Sequence, residues 1–97
     1  MTAGSGVVHE EKHGEDFTRK GGDFEMVQLW VNLPAAYKKS KPGYQSLLNA
    51  GIPRVDLDTG VQARVIAGAL NGTRGPAKTF MPVNLYDVRL EAGGRSA

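Results

Sequence analysis

Cysteine is absent from this 97-residue chain. No disulfide and no thiolate metal site can therefore staple the fold, and a reducing compartment suits it. A long hydrophobic run is missing too. The longest uncharged apolar stretch, Met26 to Ala36, is interrupted by Gln28, Asn32 and Pro34, whereas a membrane-crossing helix needs about 20 apolar residues. No membrane partner is expected. The first residues show no basic segment followed by an apolar one, so no secretory signal is read and a cytoplasmic location is the expectation. Charge of one sign is also scarce. Twelve basic residues face ten acidic ones, and the net +2 is a weak field. Lys38, Lys39 and Lys41 form the one basic cluster, with Tyr37 and Tyr44 as aromatic neighbours. Nucleic-acid surfaces gather many more cations on one face, so this cluster reads as a solvated loop and nucleic acid is not an expected partner.

Sustained 3.6-residue apolar periodicity with caps is likewise lacking. What the chain has instead is punctuation: thirteen glycines and five prolines, a spacing that suits short strands and turns. Four stretches read as strands: Ser5–His9, Phe24–Leu33, Val61–Leu70 and Val83–Leu90. In the second, Phe24, Met26, Gln28, Trp30 and Asn32 fall on one face and Glu25, Val27, Leu29, Val31 and Leu33 on the other. Both faces are largely apolar, which predicts burial on both sides. Val61, Ala63, Val65 and Ala67 share one face of the third. Asn71-Gly72 and Gly75-Pro76 are turn signals between the last two. Tyr44–Ala50, ended by Gly51, reads as one or two helical turns. The fold class is all-β, a sandwich or partial barrel. A composition shift over Pro34–Pro53 marks a connector, and the C-terminal residues 93–97 read as a disordered tail.

Few residues carry chemistry. No Ser-His-Asp order, P-loop or Rossmann glycine pattern is present. "AGSG" (Ala3–Gly6) reads as a glycine turn rather than a phosphate cradle. Asp56 and Asp58 resemble a calcium loop whose remaining ligands are missing. His9 and Glu11 are the exception. In extended backbone, residues two apart project to the same side, so imidazole and carboxylate could reach one ion, a donor pair suited to iron(II), manganese or zinc. Most catalytic metals take at least three protein ligands. His13, the other histidine, lies in a polar run read as a mobile loop.

The segments "MTAGSGVVHEE", "FEMVQLWVNLP", "KPGYQ", "RVIAGALNGTRGP" and "FMPVNLYDVRL", in this order, resemble the pirin family of the cupin superfamily over nearly the whole chain. The resemblance implies two cupin β-barrels in tandem, with iron or a similar divalent metal in the first. It also implies quercetin dioxygenase activity in some members and a transcriptional co-regulator role in others. The family's metal site combines a His-x-His pair on an early strand with a His-x-Glu pair after the glycine turn. His9 and Glu11 match the second pair, and Glu10 takes the variable place between them. The His-x-His strand would precede Met1, so the chain reads as a fragment carrying a metal half-site. On this reading residues 1–36 close a first barrel, 37–53 are a linker and 54–92 open a second.

Incomplete barrels leave open strand edges and apolar faces. The expectation is therefore a partial cupin-type barrel completed by intermolecular strand pairing, in a homodimer or larger assembly. Such a dimer could bring two copies of His9 and Glu11 to one ion. Two functions compete: a non-catalytic assembly module, and an iron dioxygenase acting on a flavonol-like substrate once another chain supplies the missing ligands. In the second, Gln28 or Trp30 would line the cavity.

Overall fold

The computed structural model describes residues 1–96. The chain forms two compact units, Met1–Gly43 and Tyr44–Ala97. Their boundary falls inside the stretch 37–53 expected as a connector.

The first unit is organised by its glycines. Thr2 and Gly43 exchange both backbone hydrogen bonds, at 2.8 and 3.0 Å. The Ser5 amide donates to the Ser40 carbonyl at 2.9 Å, and the Gly6 amide to Ala3 at 2.9 Å. Gly4 has φ +51°, and a Cβ there would stand 2.1 Å from the Ser40 carbonyl oxygen. Only glycine fits this close approach. "AGSG" is thus a turn that ties the start of the unit to its end.

Helix α1 (Glu15–Lys20) was not foreseen. Acidic Glu15 and Asp16 occupy its first turn and basic Arg19 and Lys20 its last, an arrangement that opposes the helix dipole favourably. Asp16 and Arg19 also form an ion pair one turn apart. Gly21, at φ +67°, ends the helix by donating to the Phe17 carbonyl at 2.8 Å. His13 does not sit in a bare loop. Its ring lies 5.1 Å from that of Phe17 and 4.8 Å from that of Phe24, with the two phenylalanines 5.6 Å apart.

Ser5–His9 and Phe24–Leu33 are not strands. The double burial expected for the latter is overturned: Val27 is 80% and Trp30 91% exposed. The cause is a missing neighbour. A strand's amides and carbonyls need a ladder partner, and strand preference expresses packing context more than backbone preference. Among the described residues of this unit, the one β-bridge is Thr2–Gly43.

The second unit holds the sheet. Strands β1 (Arg54–Asp58), β2 (Val61–Ala67) and β5 (Leu85–Leu90) are antiparallel in the order β1-β2-β5. Alternation in β2 explains its central place: Val61, Ala63, Val65 and Ala67 are all buried, with half-buried Gln62, Arg64 and Ile66 between them. The strand expected through Leu70 breaks at Gly68. This residue has φ +76°, and a Cβ would stand 2.0 Å from the Asn84 side-chain oxygen and 2.8 Å from the Val83 carbonyl. Beyond it, β3 (Ala69–Leu70) and β4 (Thr73–Arg74) form a hairpin across Asn71-Gly72. Both turn residues have positive φ, 47° and 77°, as a type I′ turn requires. The chain then returns along β2: Gly75 donates to Gly68 at 2.9 Å and Ala77 to Ile66 at 3.0 Å.

Tyr44–Ala50 is not helical; a single 3₁₀ turn, Asn49–Gly51, stands at its end. Pro53 holds Ile52 extended, and so short a helix cannot offset its nucleation cost. In the expected tail, the Gly94 amide donates to Glu91 at 2.8 Å, while residue 97 lies outside the described residues. The sheets are small and unclosed, and the regular structure is mainly strand, a partial cupin-type β fold.

Candidate functional site

His9 and Glu11 sit in irregular backbone that follows the Ala3–Gly6 turn. The Nε2 of His9 and Oε1 of Glu11 are 3.8 Å apart, with side chains 46% and 61% exposed. Glu10 pairs instead with Lys12, at 2.9 Å. Partners two residues apart meet in both cases. The sequence-derived pair is thus brought together, although no strand hydrogen bonds hold it.

Two donors each about 2.1 Å from one ion stand roughly 3.0–3.4 Å apart, so His9 and Glu11 are close to a chelating separation. The set is incomplete, however. Among the described residues no group of three His, Cys, Asp or Glu side chains could hold an ion. Asp56 and Asp58 do not form a calcium loop either. Asp56 accepts from the Gln62 side chain at 3.0 Å, and Asp58 accepts from the Thr59 amide at 2.7 Å. Gln28 and Trp30 lie in the exposed stretch, where the indole faces solvent rather than a cavity.

A second polar assembly is built by strand register rather than by spacing along the chain. Arg54 and Asp56 of β1, Gln62 and Arg64 of β2, and Asp87 and Arg89 of β5 share one sheet face by register. With Asn49 they surround a concavity of about 380 Å³ whose lining is Asn49, Arg54, Gln62, Arg64 and Arg89. Arg64 is anchored: its Nε donates to Asp87 at 2.9 Å, its Nη2 meets the same oxygen, and its Nη1 donates to Asn49 at 2.5 Å. Polar residues at i, i+2 in three separate stretches were the available signal, visible only once the pairing of β1 with β2 is known.

The fold is that of a β-rich protein of partial cupin type. Three relatives place it further. A Pseudomonas aeruginosa protein named "Putative quercetin 2,3-dioxygenase PA2418" is 54% identical over 94 residues, covering 96% of this chain and 33% of the relative. A pirin-like protein of Caulobacter vibrioides is 46% identical over 95 residues, with the same 96% and 33% coverage. Pirin-1 of Arabidopsis thaliana is 35% identical over 96 residues, 99% of this chain and 31% of its own length. The chain belongs to the pirin family and spans about a third of the length of these relatives. No family model and no solved structure matches it. No helix among the described residues is long and apolar enough to cross a membrane.

Proposed function

We propose that this 97-residue chain on its own is a non-catalytic pirin-family assembly module bearing half of a metal site. The observation that carries this reading is the His9–Glu11 pair, 3.8 Å apart with no third ligand among the described residues. On this reading residues 1–36 are the closing part of one cupin barrel, 37–53 a linker and 54–92 the opening strands of another. A second copy of the chain covers the exposed Phe24–Leu33 stretch by strand pairing, in the homodimer that an open apolar segment favours.

The second reading is an iron-dependent oxygenase of the quercetin 2,3-dioxygenase type, its site completed by another chain. The name of the Pseudomonas relative favours it. In a two-fold dimer, two copies of His9 and Glu11 could supply the four donors. Elemental analysis of the purified chain, with quercetin consumption measured in parallel, separates the readings. The module reading expects far less than one metal per chain and no turnover. One metal per chain or per dimer, lost in His9→Ala together with turnover of quercetin, would establish the oxygenase instead.

A further inference from the structure

The charged face of the three-stranded sheet is a checkerboard. One cross-strand row reads Arg54, Arg64, Asp87 and the next reads Asp56, Gln62, Arg89. Both carboxylates are engaged, Asp87 by Arg64 and Asp56 by the Gln62 amide. Arg54 and Arg89 are different. Among the described residues neither has a hydrogen-bond or ion-pair partner. Arg54 also stands directly opposite Arg64 in the β1–β2 register. Like charges in that position repel and weaken the strand pair. Both side chains are exposed, so their guanidinium groups are open to an anion from solvent.

Strand spacing sets Arg54 and Arg89 about 12 Å apart at the backbone, on opposite sides of β2. Arg64 stands on the strand between them, fixed by Asp87 and Asn49. All three arginines line the same concavity of about 380 Å³, together with Asn49 and Gln62. That is within the range of small-ligand sites and larger than one phosphate ion fills. Guanidinium forks match the geometry of phosphate and carboxylate oxygens.

We infer that this face binds a small anion carrying two or more oxyanion groups. Arg54 and Arg89 each take one outer group, Arg64 faces the centre, and the Asn49 and Gln62 amides supply neutral donors. Nothing in this assignment depends on metal at His9 and Glu11.

Isothermal titration of the full chain with pyrophosphate and, separately, with citrate tests the inference, using sodium chloride at matched ionic strength as control. Saturable one-to-one binding of either anion is expected. Preference for pyrophosphate would identify a phosphate-bearing ligand, and preference for citrate a polycarboxylate. Arg54→Gln and Arg89→Gln remove exposed side chains that hold nothing else in place, and each is expected to weaken binding about tenfold or more. Anion-dependent rise of the unfolding temperature should shrink in the same variants. Heat no greater than that of sodium chloride, or unchanged affinity in the Arg54→Gln/Arg89→Gln double variant, would overturn the assignment.

Discussion

The side-chain amide of Gln45 closes both hydrogen bonds of one backbone residue, Lys78. Its Nε2 donates to the Lys78 carbonyl at 2.9 Å, and its Oε1 accepts from the Lys78 amide at 2.7 Å. The amide thus acts as a one-residue strand partner for the loop between β4 and β5. It gives the "KPGYQ" segment a structural role independent of any site.

Replacing Gln45 therefore has two distinguishable outcomes. Gln45→Ala leaves both Lys78 groups without this partner, and about 1–2 kcal/mol of unfolding free energy should be lost. Gln45→Glu keeps the acceptor for the Lys78 amide but sets a carboxylate against the Lys78 carbonyl at neutral pH. It should be at least as destabilising as the alanine. Urea unfolding followed by circular dichroism checks both, and a Gln45→Glu variant as stable as wild type would show that the carbonyl bond contributes nothing.

The core gives the second prediction. Val65 is fully buried at the centre of β2, flanked on its face by Ala63 and Ala67. Two of the four buried side chains among the described residues are alanines, so little apolar surface holds the sheet together. Val65→Ala should cost about 2 kcal/mol and broaden or abolish the cooperative transition. Val27→Ala, at a position 80% exposed, should change stability by less than about 0.5 kcal/mol. Similar costs at the two positions would mean that Val27 is covered in solution.

How much of this was legible beforehand differs between the two units for a physical reason. The burial of Val61, Ala63, Val65 and Ala67, the Asn71-Gly72 turn and the His9–Glu11 proximity all follow from local rules: period-two alternation, positive-φ turn chemistry and same-side projection. Strand β5 was placed to within two residues. Phe24–Leu33 failed because its apolar content predicts burial only if a second layer exists to receive it. Strand β1 was overlooked because its alternation places Arg54, Asp56 and Asp58 outward and only Val55 and Leu57 inward. Helix α1 was overlooked because it has no apolar stripe; Phe17 is its one large apolar residue, and end charges and an aromatic cluster support it instead. The arginine face was invisible since register, not spacing along the chain, assembles it.

Glycine substitutions form the third prediction. Gly68 and Gly72 share nearly the same positive φ, 76° and 77°, but differ in surroundings. A Cβ at Gly72 meets open space, whereas one at Gly68 meets the Val83 carbonyl at 2.8 Å as well as Asn84. Gly72→Ala should cost about 1 kcal/mol, the conformational penalty alone. Gly68→Ala adds a backbone clash and should cost at least about 1 kcal/mol more. Equal costs, measured by thermal unfolding, would mean that the β2–β3 break relaxes away from Val83 freely.

The last prediction concerns the stretch that the sequence expected to be buried. Met26, Val27, Leu29, Trp30 and Val31 are all exposed within six consecutive positions, a density of apolar surface that water tolerates poorly. If a second copy covers it, sedimentation velocity should show a dimer at high concentration that dissociates on dilution. Trp30 reports the same event, since its emission should move to shorter wavelength as the dimer forms. Leu29→Ser removes apolar area from the contact without touching the buried face of β2, and should weaken association about tenfold or more. A monomer with unchanged Trp30 emission at every concentration would exclude a second copy as the cover and leave the stretch open in the isolated chain.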